Sequence, residues 1–89
     1  MEAKNGFPKE LMLPSSGRKA VLGRKLKAKD AMAARRIVGK DRVDDPMAML
    51  LASIAPVLEL DGKAVVFEDL VELDIEDVNA LSEAVSEKN

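Results

Sequence analysis

Six carboxylates near the C-terminal end of the chain are its densest group of potential cation ligands or proton carriers: Glu68, Asp69, Glu72, Asp74, Glu76 and Asp77. Carboxylate oxygens at close spacing suit a hard cation such as Ca²⁺. The segment that leads into them, DGKAVVFEDLVE, lacks the alternating oxygen ligands that a calcium loop places before its glycine. We therefore interpret the cluster as a solvated helix face with capping residues, and we expect no metal.

Other catalytic chemistry has few candidates, because the sequence contains no His, Cys, Thr, Gln, Trp or Tyr. Without imidazole or thiol, the chain lacks the usual general base, the thiol nucleophile and the usual zinc ligands. Its five serines have no nucleophile-elbow context, and GRKAVLGRK at residues 17–25 has the wrong spacing for a phosphate loop. The sequence therefore predicts a protein that is not an enzyme and uses no cofactor.

The charged residues are divided along the chain, although the net charge is only −2. Residues 18–42 hold ten basic side chains against two acidic ones, whereas residues 43–89 hold twelve acidic side chains against two basic ones. Such a dipolar chain can pair its halves internally or associate head to tail with other copies. The basic stretch also suggests phosphate contacts, but it has no aromatic residue for base stacking and no Asn or Gln for base recognition. Nucleic acid is therefore a disfavoured partner.

Turn and helix signals divide the first half of the chain. The segment ELMLPSSGRKAVLGRKL has two short extended runs around Pro14–Gly17, which predicts a β-hairpin with a four-residue connection. The alanine-rich segment KAKDAMAARRIVGKD then predicts a helix over residues 27–41, with Asp30 in its first turn and Gly39 as its stop. The predicted inward face of this helix comprises Ala28, Met32, Ala33 and Ile37.

Similar signals divide the second half. Asp45-Pro46 predicts the start of a second helix, which Pro56 ends or kinks. Asp61-Gly62 lies between two aliphatic runs and predicts a second hairpin. A short helix at 67–73 follows, and Asp74 is the predicted cap of a last helix. The apolar stripe of that last helix comprises Val78, Leu81 and Val85.

This order of elements predicts a small single domain of the α+β class, mainly helical with two short β-hairpins. Residues 1–9 are the predicted flexible N-terminal tail, residues 10–86 the domain and residues 87–89 a frayed C-terminus. The N-terminal segment lacks the apolar run of a signal peptide, and the uncharged run Pro46–Leu58 is too short to span a bilayer. We therefore expect a cytoplasmic protein without a membrane partner.

The run Pro46–Leu58 carries more apolar side chains than one buried helix face requires. A chain of 89 residues with only two aromatic side chains offers thin cover for a second face. We therefore expect a partner or a second copy to cover part of this surface. The predicted core stripe of the helix comprises Met47, Leu50, Leu51 and Ile54, with Met49 on another side. Methionine fills core gaps more often than it recognises partner helices, and both interpretations stay open here.

Two stretches of the sequence resemble the phage tail assembly chaperone family of Mu-like and related contractile-tailed phages and prophages. LMLPSSGRKAVLGRKLKAKD is similar to the opening of the family, where a strand, an LPSG-type turn and a second strand lead into a K-x-K/R-D helix start. LLASIAPVLELDGKAVVFEDLVELDIEDVNAL resembles its second half: an apolar helix, a DGK hairpin, an EDL segment and L-x-x-x-D-V-x-x-L. The resemblance covers residues 10–85, with an additional serine in the first turn and Phe67 in place of a small capping residue.

The resemblance implies a non-enzymatic assembly factor of the bacterial host cytoplasm. Its partner would be the tape-measure protein, which it binds and solubilises during tail assembly, and the tail tube protein is a second candidate partner. From the residues themselves, and not from the family motif, we choose Met32, Arg35, Arg36 and Met49 as candidate contacts. Two alternatives remain: a small nucleic-acid-binding regulator that uses the basic stretch 18–42, and a protein–protein adaptor unconnected with phages.

Overall fold

A computed structural model describes residues 7–86 of the chain. Within these residues, a four-stranded antiparallel sheet with the order β1-β2-β3-β4 combines with four α-helices. The elements are β1 Lys9–Met12, β2 Lys19–Leu22, α1 Ala28–Val38, α2 Pro46–Ile54, β3 Leu58–Leu60, β4 Lys63–Ala64, α3 Phe67–Leu70 and α4 Ile75–Ser86. A single turn of 3-10 helix, Ala55–Val57, follows α2. The α+β class, the two hairpins and the order of elements confirm the prediction.

The first hairpin turns at Pro14–Gly17, as predicted. The Leu13 N–H donates to the Arg18 carbonyl at 2.9 Å, and the Gly17 N–H donates to the Leu13 carbonyl at 2.9 Å. Gly17 has a φ of 73°, which glycine adopts without the steric cost of a Cβ. Pro14 lies in the turn outside the strand ladder, where its missing N–H removes no hydrogen bond.

The second hairpin turns at Asp61-Gly62, also as predicted. Both residues have positive φ, 53° and 82°, and Leu60 pairs directly with Lys63. Positive φ at both central residues is typical of a type I′ turn, whose twist matches the right-handed twist of the flanking strands. The two turn residues themselves therefore determine the backbone geometry of this connection.

The two hairpins form one sheet because β2 pairs with β3. Ala20 lies opposite Leu60 and Leu22 opposite Leu58, and all four side chains are buried. The Asp61 turn is tied to the end of β2. Its N–H donates to the Lys19 carbonyl at 2.8 Å, and its carboxylate accepts from the Lys19 N–H at 3.0 Å. The inward faces of β2 and β3 thus continue into one core that also receives side chains from every helix.

The inward face of α1 differs from the prediction. Its buried residues are Asp30, Ala34 and Val38, which follow one another at a spacing of four. Met32 is 63% exposed and Ile37 is 42% exposed, so neither belongs to the buried face. The buried face is the one that carries Asp30, which has an ion partner in Arg24, and the fully buried Ala34, and α1 packs against α2. Ala28 is exposed and Ala33 only half-buried.

α2 begins as predicted. The Asp45 carboxylate accepts hydrogen bonds from the backbone N–H groups of Met47 at 3.0 Å and Ala48 at 3.3 Å, and Pro46 is the first helical residue. From Leu51 onward the helix is buried on every side. Its first two turns are more open, because Met49 and Leu50 are half-buried and Met47 is 40% exposed. The prediction that Met47 is a core residue is therefore wrong, whereas Leu51 and Ile54 are core residues.

The described part of the chain begins inside the predicted tail. Phe7 is buried and belongs to the core, and Lys9 begins β1. The Lys9 ammonium also donates to the Ala84 carbonyl at 2.8 Å. The boundary of the domain therefore lies at or before Phe7. The rest of the predicted tail, residues 1–6, and the predicted frayed residues 87–89 lie outside the described residues.

Candidate functional site

An open apolar groove lies between α2, α3 and α4. It consists of two adjoining depressions of about 250 Å³ and about 320 Å³ that share Met47 and Val78, and we call them together the Met47 groove. Three exposed apolar side chains border it: Met47 at 40%, Val71 at 45% and Ile75 at 56% exposure. Its floor is formed by buried side chains, namely Ala48, Leu51, Phe67, Leu70 and Val78. The groove is therefore apolar both at its base and along its border.

Local chain geometry explains why these side chains remain outside. α3 has only one turn and ends at Leu70, and α4 begins at Ile75. The short connection between them is held by the Leu73 N–H, which donates to the Leu70 carbonyl at 3.1 Å. Phe67 and Leu70 already fill the core beneath this connection. Because the interior is close-packed, Val71 and Ile75 find no further space there and stay at the surface.

The charged residues around the groove are mainly acidic. Glu72 and Glu76 are exposed and adjoin Val71 and Ile75 in the chain. Asp45 lines the groove but uses its carboxylate to cap α2. Arg42 is the basic residue that lines the groove, and its guanidinium lies 5.1 Å from the centroid of the Phe67 ring, within cation–π distance. The groove thus offers apolar contacts, and the exposed Glu72 and Glu76 add negative charge next to two of its border residues.

The structure does not bring the four predicted contact residues together. Met32, Arg35 and Arg36 are exposed on α1, whereas Met49 lies on α2 and packs against the core. None of the four lines the Met47 groove. Val71 and Ile75 were not predicted to be site residues, and Met47 was predicted to be a core residue. Helical spacing gave no signal for Val71, because it lies seven residues before Val78 and so shares the spacing of the stripe of Val78, Leu81 and Val85.

Asp30 is buried and forms the best-defined ion pair among the described residues. Both of its carboxylate oxygens accept hydrogen bonds from the Arg24 guanidinium, at 2.8 and 2.9 Å. The Lys27 N–H donates to the same carboxylate at 2.7 Å, which anchors the start of α1. The hydrogen bonds from Arg24, supported by that from Lys27, outweigh the effect of burial and hold the pKa of Asp30 below its usual range. This pair fixes the start of α1 to the segment that follows β2.

Asp77 is fully buried and anchors the first hairpin to α4. Its two carboxylate oxygens accept hydrogen bonds from the backbone N–H of Ser15 at 2.7 Å and of Ser16 at 3.2 Å. The Ser15 hydroxyl donates to the neighbouring Asp74 carboxylate. Burial alone raises the pKa of Asp77, but the hydrogen bonds from Ser15 and Ser16 together outweigh it, and the pKa lies below its usual range.

Three of the six carboxylates in the acidic cluster thus make structural contacts, whereas Glu68, Glu72 and Glu76 are exposed. Asp74 and Asp77 hold the first turn, and the Asp69 carboxylate accepts from the Val66 N–H at 3.0 Å at the start of α3. Among residues 7–86, no three carboxylates gather closely enough to hold a metal ion. The prediction treated these carboxylates as helix caps and solvated groups, and it did not include the contact between Asp77 and the first hairpin.

Part of the basic stretch 18–42 also has internal partners. Arg24 pairs with Asp30, Arg18 donates to the Asp61 carboxylate at 3.3 Å, and Arg42 lies over Phe67. The exposed basic side chains of α1 lie on its outer side: Lys29, Arg35 and Arg36. The free positive surface is therefore smaller than the sequence suggests, and Lys29, Arg35 and Arg36 on α1 form one part of it.

The sequence matches no family model, and the comparisons with curated proteins and with solved structures gave no match. The resemblance to tail assembly chaperones therefore rests on the quoted motifs and stays a prediction. Within residues 7–86, no helix combines the length and the apolar composition needed to cross a membrane.

Proposed function

We propose that this chain is a phage or prophage tail assembly chaperone that binds the tape-measure protein in the cytoplasm of the bacterial host. It keeps apolar helical segments of that client soluble until the tail is built. The observation that supports this function is the Met47 groove, in which Met47, Val71 and Ile75 converge on one apolar surface. The tail tube protein is a second candidate partner.

The shape of the groove suits an amphipathic helix. Its two depressions adjoin each other at Met47, so side chains from successive turns of a bound helix enter them in order. Methionine adapts its shape to different side chains, which suits a surface that meets many segments of a long client. The groove thus favours helical, apolar sequences without demanding one particular sequence.

The strength of such an interaction is limited. Covering the exposed parts of Met47, Val71 and Ile75 contributes roughly 1 kcal/mol each, or about 3 kcal/mol in total. Association also costs free energy, because two molecules lose translational and rotational freedom, so a single contact of this size gives weak binding. Weak individual contacts permit release, and a long client with many apolar helical segments offers sites to several copies at once. This balance fits a protein that must leave its client when assembly proceeds.

Co-expression of the chain with a tape-measure fragment tests this function. The wild-type chain is expected to raise the soluble fraction of the fragment, and Met47→Glu and Ile75→Glu are expected to remove most of that gain. Met12→Glu is the matched control, because Met12 is 65% exposed and does not line the groove. Unchanged client solubility with the wild-type chain, or an equal loss with Met12→Glu, contradicts the proposal.

A further inference from the structure

The outward face of α1 is basic around an exposed methionine. Lys29, Met32 and Arg36 follow one another at spacings of three and four, so they share one side of the helix. All three are exposed, and they lie opposite the buried face of Asp30, Ala34 and Val38. This side of α1 is therefore an apolar contact point between two positive charges.

The Met47 groove has the opposite pattern. Its centre is apolar, and the exposed Glu72 and Glu76 directly follow its border residues Val71 and Ile75 in the chain. The one basic side chain among its lining residues, Arg42, lies over the Phe67 ring. The two surfaces are complementary in charge and similar in their central apolar contact. Neither Lys29, Met32 nor Arg36 lines the groove of its own chain. One protomer therefore does not use these two surfaces on each other.

We propose that a second copy of this chain covers the Met47 groove. The outward face of α1 lies along the groove of the neighbouring copy, with Met32 entering it and with Lys29 and Arg36 facing Glu72 and Glu76. The contact joins two different surfaces, so it repeats from copy to copy and produces short head-to-tail chains.

The contact accounts for the division of charge along the sequence, because the basic segment of one copy meets the acidic segment of the next. It also hides apolar surface while no client is bound. That second role rests on the proposed chaperone function, whereas the contact itself does not. A client helix that enters the groove then displaces α1 of the neighbouring copy.

Sedimentation velocity of the full chain tests the contact directly. We expect the average sedimentation coefficient to rise with protein concentration from about 10 µM to about 1 mM, in the range of weak association. The rise should be marked at about 25 mM salt and largely lost at about 300 mM, because exposed charge pairs are screened. A chain that stays monomeric throughout this range overturns the proposal.

Charge reversal identifies the two surfaces. Arg36→Glu and Glu76→Lys are each expected to weaken association about fivefold, since each turns an attraction between exposed groups into a repulsion. Lys63→Glu and Glu83→Lys are the matched controls, because both residues are exposed and lie outside the Met47 groove. Controls that weaken association as much as the test variants would show that only net charge matters, which overturns the proposal.

A mixture of the Arg36→Glu and Glu76→Lys variants provides the sharpest test. In the mixture, the unchanged α1 face of the Glu76→Lys variant meets the unchanged groove of the Arg36→Glu variant. The carboxylate introduced on α1 of Arg36→Glu can also face the ammonium introduced beside the groove of Glu76→Lys. The equimolar mixture should therefore associate more strongly than either variant alone. A mixture that behaves as the average of its components overturns the assignment of the two surfaces.

The self-association and the proposed function can fail separately. If the chain stays monomeric but still solubilises the tape-measure fragment, the self-association is refuted and the proposed function stands. If the chain associates as described but leaves the solubility of the fragment unchanged, the self-association stands and the proposed function is refuted.

Discussion

Replacement of Asp77 is expected to cause a large loss of stability, although the residue lies in a largely exposed acidic segment. Asp77→Ala removes the two hydrogen bonds from the backbone amides of Ser15 and Ser16. Hydrogen bonds to charged groups contribute about 1.5–3 kcal/mol each. Ser15 and Ser16 are exposed, so the freed amides regain part of this by bonding to water. We therefore expect a loss of about 2–4 kcal/mol in the free energy of unfolding.

Asp77→Asn removes the negative charge of the side chain and keeps nearly the same shape. The amide keeps one oxygen acceptor but turns its donor nitrogen towards a backbone N–H, so we expect a smaller loss of about 1–2 kcal/mol. Because the pKa of Asp77 is lowered in the folded state, its ionisation stabilises the fold above the unfolded pKa of about 3.9. This contribution disappears as the pH falls through the folded pKa. Asp77→Asn should therefore lose less stability than the wild type as the pH falls below about 4.

Urea unfolding followed by circular dichroism, at neutral pH and across the acid range, measures both effects. In thermal unfolding, the loss in Asp77→Ala corresponds to a decrease of about 10–25 °C in the midpoint for a domain of this size. Glu83→Gln is the control, because Glu83 lies on the same helix and is exposed. If Asp77→Ala unfolds at the same urea concentration as Glu83→Gln, or if Asp77→Asn keeps the wild-type acid dependence, the assigned role of Asp77 is refuted.

Three further changes test other parts of the fold by urea unfolding. Asp30→Asn weakens the paired hydrogen bonds from Arg24 and should lower the free energy of unfolding by about 1–3 kcal/mol. The same substitution should cost less in a chain that already carries Arg24→Met. If the two costs are equal, the pair contributes nothing to stability. Leu81→Ala empties a fully buried position and should cost about 2–5 kcal/mol, so a cost below about 1 kcal/mol contradicts the described core. Gly62→Ala should cost about 1–2 kcal/mol because φ is 82° at that residue. Gly23→Ala has a negligible expected effect, since φ is not positive there and its added Cβ makes only ordinary contact with the Val57 carbonyl.

Several local features could be predicted from the sequence because they depend on neighbouring residues alone. Asp61-Gly62 adopts the positive φ values of a type I′ turn, and Asp45-Pro46 supplies an oxygen acceptor and a preset φ at the start of α2. Gly39 ends α1 with a φ of 79°, and its N–H donates to the Arg35 carbonyl. Ser53 donates to the Met49 carbonyl within its own helix, which is a contact between residues one turn apart.

The sequence predicted that the protein has uncovered apolar surface, but it did not predict where that surface lies. The excess of apolar residues in Pro46–Leu58 indicated that some apolar surface stays uncovered, and part of it does. Its location was not predictable from that run, because the C-terminal half of α2 is buried and α2 packs against α1, a separate segment of the chain. The uncovered part is Met47, which is joined by Val71 and Ile75 from elements far away in the sequence. Periodicity shows which side chains share a helix face, but the neighbours decide which face is covered.

The sequence by itself thus determined the elements of this protein, their order and their turns, since φ/ψ preferences and caps act within a few residues. The tertiary structure alone decided which faces are buried and where the two hairpins join. It turned Met32 outward by pairing Asp30 with Arg24, and it drew Asp77 inward to hold a turn that is distant in the sequence. These choices depend on close packing and on partners for buried charges, and both are properties of contacts between distant segments.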